Sequence, residues 1–455
     1  MKTPIPQSLI VVLIVCFGSL QNAHAVSPPP DGGYPNFTTA EGQNALKDLT
    51  TGAANTALGA YSMFSTTTAS FNTAVGAGAL DLNTGDQNTA VGVAALLLNT
   101  GTNNTGVGVD ALGLNTTGES NAAVGAFALY NNTSGGDNTA SGSDALFSNT
   151  TGFDNTAIGF EALFSNTTAE DNVAIGNLAL TANTTGADNT AIGNLALTAN
   201  TTAGDNTAIG NLALTTTTTG SNNTATGDSA LTNNTIGSSN TALGFDALFN
   251  NTTGNSNTAV GNAALASNTT GGGNIALGDS AGSNVMTANN VICIGIPGID
   301  ISNTCFIGQV FGVTAPGGTA VFIDSHGQLG TATSSRRFKD EIRPMNNASE
   351  VLLALRPVSF RYKKDIDPAG IQQFGLVAED VEKVNRDLVV RDKEGKPYSV
   401  RYDQVNAMLL NEFLKARRQI DAQQKQIDAL TAGLQKVSAQ LELNKAAPQT
   451  VVNNH

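Results

Sequence analysis

A glycine closes an Asn-Thr-Ala-Φ-Gly motif (Φ being Ile, Val or Leu in most copies) at positions 59, 76, 92, 108, 125, 142, 159, 176, 193, 210, 227, 244, 261, 278 and 295. The spacing is sixteen or seventeen residues throughout. A fixed short period over more than half of a chain demands a solenoid, because one repeat cannot bury its own apolar face and must stack on the next. The clearest copy, Asn189 to Asp205, reads NTAIGNLALTANTTAGD. Its two apolar pieces, Ala191-Ile192 and Leu195-Ala196-Leu197, are too short for helices and are bounded by Gly, Asn and Thr. Two short strands and two turns per coil are expected. About fifteen coils rising about 4.8 Å each give a parallel β-roll on the order of 70 Å long. In this reading each coil buries the Φ residue of the first piece and one Leu of the second. Such a core is thin, so lateral self-association is expected to cover the remaining apolar face.

Several repeated features have both a functional and a plain structural reading. The many Asn-Thr-Thr triplets match a glycosylation acceptor, but the repeat itself generates them, with Asn and Thr as turn and ladder residues. Asp137, Asp154, Asp171, Asp188 and Asp205 each precede a motif Asn and lie seventeen apart. Stacked in register they form a carboxylate column. That column is either a Ca²⁺-type cation site or a solvated edge that blocks sideways aggregation.

The motifs Asn155–Gly159, Asn206–Gly210 and Asn257–Gly261 resemble the heads of trimeric autotransporter adhesins, the YadA-like left-handed parallel β-roll, over residues 51–298. The resemblance implies three chains per fibre and leaves the surface ligand unnamed. That family's membrane-anchoring C-terminal strands are not recognisable here, so export through its own barrel is not expected.

The ends of the chain are built differently. Lys2, the apolar run Leu9–Leu20 and Ala23-His24-Ala25 read as a secretory signal peptide over residues 1–25. The run is short for a membrane span, and Val15 before Cys16 disfavours lipidation. Residues 26–50, rich in Pro, Gly and polar types, read as a leader. A secreted product at the cell surface or outside it is expected, with no membrane insertion. Of the remaining cysteines, Cys293 and Cys305 sit at different motif positions and are expected to face opposite ways.

Composition changes abruptly beyond the neck at 299–333. Not one Lys or Arg lies between Asp48 and Thr333, whereas twenty of the twenty-two follow Arg336 inclusive. Residues 26–333 hold twenty acidic groups against Lys47, a net of −19, and residues 334–455 hold sixteen against twenty basic ones, a net of +4. An acidic shaft argues against nucleic acid as partner. The spacing also shows no His/Cys metal cluster and no phosphate loop, so no cofactor is expected. His326 reads as a turn residue.

After the boundary a short helix is expected around Ala348–Leu355, a strand at Val358–Tyr362, an apolar piece entering a helix at Gly375–Val381, and a hairpin pairing Leu388–Arg391 with Tyr398–Tyr402. Leu409, Phe413, Ala416, Ile420, Gln423, Ile427, Leu430, Leu434, Val437 and Leu441 then alternate in steps of four and three. That is a coiled-coil seam, polar once at Gln423, giving a domain at 334–403, a trimeric coiled-coil helix at 404–444 and a disordered tail at 445–455.

Ser334-x4-Lys339-Asp340-x-Ile342, Pro357-Val358-x-Phe360-x-Tyr362 and Gly375-Leu376-Val377-Ala378-Glu379-x-Val381, with the trailing helix, resemble the intramolecular chaperone of phage tailspikes and endosialidases over Ser334–Leu441. The resemblance implies a domain that trimerises its fibre and then cuts itself off. By position it implies Ser334 as nucleophile, Lys339 as base and Thr333–Ser334 as the broken bond. Ser335 stands where Asp is frequent in that family, and Glu379 where Gln is common. A lysine can act as base where burial disfavours its ammonium form, which Arg336 and Arg337 cannot do. Five residues is off-phase for both helix and strand, so a bend must bring the pair together. The alternative is an inert trimerising tail on a structural or adhesive fibre.

Overall fold

A computed structural model describes residues 35–445, in two compact units divided after Val313. The proposed signal peptide and the far C-terminal tail lie outside the described residues. The first unit is a parallel β-solenoid. Its seventeen three-residue strands run from β1 (Thr39–Glu41) to β17 (Cys305–Ile307), each hydrogen-bonded in register to the next. Thr190, Ala191 and Ile192 pair with Thr207, Ala208 and Ile209, and the same residue types stack along most of the rod.

Each coil holds one strand, where two were expected. The piece Leu195-Ala196-Leu197 is a turn, because its two leucines adopt φ of 59° and 51°. Left-handed residues on either side of Ala196 cannot extend. They still bond to the neighbouring coils, one each way: the Leu195 amide donates to Asn177 O and the Leu197 amide to Ala213 O, both at 3.0 Å.

The core also differs from expectation. Leu197 is fully buried, but the inward strand residue is Ala191, and Ile192 is 36% exposed. A three-residue strand points its ends to one face and its centre to the other, so Thr and Φ face out together and Ala faces in. The interior has room for little more than that methyl. Where Gly106 replaces the inward Ala, an added Cβ would already sit 3.3 Å from Leu96 Cγ. The outward Φ residues therefore form an apolar stripe along the rod, including Val124, Ile158, Ile209 and Leu243.

Two buried asparagine columns complete the interior. In the first, the Asn155 backbone amide donates to Asn138 Oδ1 (3.1 Å) and Asn155 Nδ2 donates to Ala169 O (2.8 Å). In the second, Asn166 Nδ2 donates to Asn149 Oδ1 (2.9 Å) and to Ala169 O (3.1 Å). Each amide thus ties adjacent coils together in a setting where an unpaired polar group is costly. Close stacking also dictates the motif glycine: Gly193 has φ 141°, and a Cβ there would lie 2.3 Å from Gly210 O.

The rod closes at its C-terminal end. The last coil shortens to thirteen residues between Ile292 and Cys305, and Phe306 takes the position that Cys293 and Ala276 hold in the preceding coils, packing over the core. Asp300 accepts the backbone N–H groups of Met286, Thr287 and Ala288 at 2.8–2.9 Å and the Thr287 hydroxyl at 3.1 Å. Cys293 is buried, Cys305 is exposed, and both are free.

The second unit is a small α+β segment. It holds the hairpin β18–β19 (Val321–Ile323 and Leu329–Thr331), a 3₁₀ segment at Asn346–Ala354, and the pair β20–β21 (Val358–Phe360 and Gln373–Gly375). Then follow helix α1 (Ala378–Val384), the hairpin β22–β23 (Val389–Arg391 and Pro397–Val400) and helix α2 (Tyr402–Lys445). Val381, Leu388, Val389, Val400 and Met408 form its core. No helix among the described residues is long and apolar enough to cross a membrane.

Candidate functional site: the junction and the domain behind it

The hairpin β18–β19 leads directly into the junction. Its turn is closed by Asp324, whose carboxylate accepts the backbone N–H groups of His326 and Gln328 at 2.9 Å each. Those donors, Gln328 foremost, hold the Asp324 carboxyl below its ordinary value. His326 Nδ1 lies 3.5 Å from the same carboxylate, so its place is in this turn.

Thr333 and Ser334 lie outside any strand or helix and are exposed, Ser335 is extended, and a single 3₁₀ turn, Arg336–Phe338, follows. Ser335 precedes the turn and Lys339 ends it, its amide donating to Arg336 O at 3.1 Å. The Arg337 guanidinium covers the Phe338 ring at 4.5 Å. This turn supplies a bend between Ser334 and Lys339. It does not join them: both side chains are exposed, and no hydrogen bond links them among the described residues. The Ser334 hydroxyl has no general base in place in a single chain.

The apolar motif behind the junction has a clear structural role. Gly375 and Leu376 approach the first residue of α2, where the Leu376 N–H donates to Tyr402 Oη at 3.0 Å. A Cβ on Gly375 would stand 2.9 Å from that oxygen, which accounts for glycine there. The sequence pattern places Tyr402 at the end of a strand, but the strand stops at Val400 and Tyr402 begins the helix; its bond to Leu376, twenty-six residues away, has no periodicity to reveal it. Along α2 the seam residues stand clear, with Leu430 and Leu434 70% and 72% exposed.

In the shaft, the five aspartates of the column lie at φ 56–60°. Asp and Asn tolerate that left-handed region better than most residues, although Phe71, Gln87 and Ser120 take it at the equivalent position of other coils. No group of three or more metal-ligating side chains occurs among the described residues. The asparagines of the Asn-Thr-Thr triplets, such as Asn149 and Asn166, are fully buried and hydrogen-bonded.

Residues 334–390 match the protein family described as "Chaperone of endosialidase". No curated protein and no solved structure matches the chain. The matched stretch contains the junction turn, β20, β21 and α1, and it begins at Ser334 itself. The chain therefore carries a C-terminal chaperone domain of the endosialidase type behind a long parallel β-solenoid.

Proposed function

We propose that this protein is a secreted trimeric fibre or adhesin-like surface protein whose C-terminal chaperone assembles three chains and then severs itself at Thr333–Ser334. The observation that carries this reading is the start of the family match at Ser334, the first residue after both the composition boundary and the candidate scissile bond. Two exposed apolar tracks support assembly: the Φ stripe of the shaft and the seam of α2. Neither finds cover within its own unit.

The chemistry follows from the residues. Ser334 Oγ attacks the Thr333 carbonyl carbon while Lys339, in its neutral form, takes the hydroxyl proton. The C–N bond breaks, the Ser334 nitrogen receives the proton, and the Thr333 acyl group rests on Ser334 as an ester. Water then hydrolyses the ester, leaving a Thr333 carboxylate on the shaft and Ser334 as the new N-terminus of the chaperone. Because both side chains are exposed in one chain, packing by neighbouring copies would supply the desolvation that neutralises the lysine. Cutting would thus wait for assembly.

Intact-mass measurement tests the reading. The parent should give two fragments meeting at Thr333/Ser334, and Ser334→Ala and Lys339→Ala only intact chain. The second reading, a trimerising tail that does not cut, is favoured by the separation of Ser334 and Lys339. An uncut parent favours it over self-cleavage.

A further inference from the structure

The geometry points to a polar clasp, centred on Ser349 and Glu412, that sets the rotation of α2 and keeps its apolar seam turned outward for other copies of the chain. This inference rests on the assembly reading above.

Ser349, in the 3₁₀ segment, is completely buried. Its hydroxyl donates to Glu412 Oε1 at 2.5 Å and accepts from Asn411 Nδ2 at 2.6 Å. Asn411 Nδ2 also donates to Asn346 O at 2.9 Å. Lys415 Nζ completes the set, 2.9 Å from Glu412 and 3.2 Å from Glu350. The hydroxyl has its short donor and acceptor bonds to α2, with Asn346 O of its own segment farther off at 3.5 Å.

The position of the clasp on the helix gives it meaning. Met408, Glu412 and Lys415 face the domain body, and Met408 is only 8% exposed. Each is followed directly by a seam residue: Leu409, Phe413 and Ala416. Neighbours in a helix are ~100° apart, so a roll of α2 by one residue would exchange the two sets. Leu409 and Phe413, 59% and 64% exposed, would then turn onto the body and the charged groups would turn to water. In a lone chain burial of Leu409 and Phe413 favours that roll, while loss of Met408 from the core counts against it. The polar bonds oppose it, since leaving Ser349 buried without partners is unfavourable. Buried polar contacts fix register in the same way in other helical assemblies. Ser349, Asn411 and Glu412 are therefore positioning residues for assembly.

The test is the mass of the full-length protein by light scattering, with Ser334→Ala in the parent and in every variant so that the chain stays whole, and with far-ultraviolet circular dichroism on the same samples. The parent is expected to be trimeric. Ser349→Ala and Glu412→Ala should keep the helical signal, yet lower the trimer-to-monomer ratio by ~10-fold or more. Glu412→Gln, whose amide oxygen can still accept from Ser349, should restore the trimer. If the alanine variants lose helical signal, Asn411→Ala, which removes one donor only, takes their place under the same criteria. Variants as trimeric as a trimeric parent overturn the clasp alone, as does a Glu412→Gln variant no better than Glu412→Ala. A monomeric parent overturns the clasp together with the assembly reading.

Discussion

The second asparagine column is broken between asparagines at Thr217, and repairing that break should stabilise the shaft. At successive coils the column reads Asn183, Asn200, Thr217, Asn234 and Asn251. Asn200 Nδ2 donates to Asn183 Oδ1 at 2.9 Å, and Asn251 Nδ2 to Asn234 Oδ1 at 2.8 Å. Between them the relay breaks, because Thr217 has a single hydroxyl and donates it to Asn234 O at 3.0 Å. Asn200 Oδ1 is left buried with no partner. Asn234 Nδ2 reaches only 3.5 Å towards Thr217 Oγ1. Thr217→Asn would place an Nδ2 donor between Asn200 Oδ1 and Gly220 O, and an Oδ1 acceptor opposite Asn234 Nδ2. A buried unsatisfied acceptor costs about 1–3 kcal/mol, and the lost hydroxyl bond is worth about 0.5–1.5 kcal/mol. The net gain is about 1 kcal/mol. Hydrogen exchange of the amides around 197–220 reads this directly, because it reports local opening in a rod whose coils need not unfold together. Exchange there should slow by roughly 5-fold. Asn251→Thr, which builds the same flaw under Asn234, should speed exchange in its own coils by a similar factor. Unchanged or faster exchange in Thr217→Asn, with the solenoid intact, would refute the idea that the amide relay holds coils together.

Two carboxylates make the shaft respond to acid in opposite directions. Burial pushes Asp81 up to about 6, and its Oδ1 has no partner. A raised acid favours folding when protonated, so the coils around 64–97 should lose stability as the pH rises through about 6. Exchange rates followed from pH 4 to 8, corrected for intrinsic chemistry, should show this in the parent and not in Asp81→Asn. For Asp300, desolvation acts upward but is outweighed by the N–H groups of Met286, Ala288 and Thr287 and by the Thr287 hydroxyl, so the carboxyl lies below its ordinary 3.8. Its contribution is full above that value and is lost as the pH falls through the lower, folded one. Protection of the 286–288 amides should therefore collapse on acidification below about pH 4, and Asp300→Asn should weaken it at neutral pH.

What could be read from the sequence was what repeats. The glycine period fixed the coil length and the in-register ladder, because Gly193 and its equivalents are demanded by contact with the next coil. The same period could not say which face of Thr-Ala-Ile points inward. Hydrophobicity favours Ile, but the coil is narrow enough that Ala191 is buried and Ile192 is not. Nor could it show that Leu195 and Leu197 are left-handed, since leucine seldom adopts that conformation and here it is held by backbone bonds to both neighbouring coils. In the C-terminal unit the motif pieces and the helical period were legible, while Leu376–Tyr402 and Ser349–Glu412 were not. Those contacts join residues twenty-six and sixty-three apart. They share a consequence. Tyr402 secures the first turn of α2, and Ser349 holds it again ten residues later at Glu412, so the helix leaves the domain with its direction and its rotation both set. A seam presented in that way has an orientation determined by the domain beneath it. Matching seams from three copies would bring three domains, and three junctions, into one arrangement. In the proposed trimer the exposed Ser334 and Lys339 would gain surroundings that a single chain does not give them, which is the order of events that the proposed self-cleavage requires.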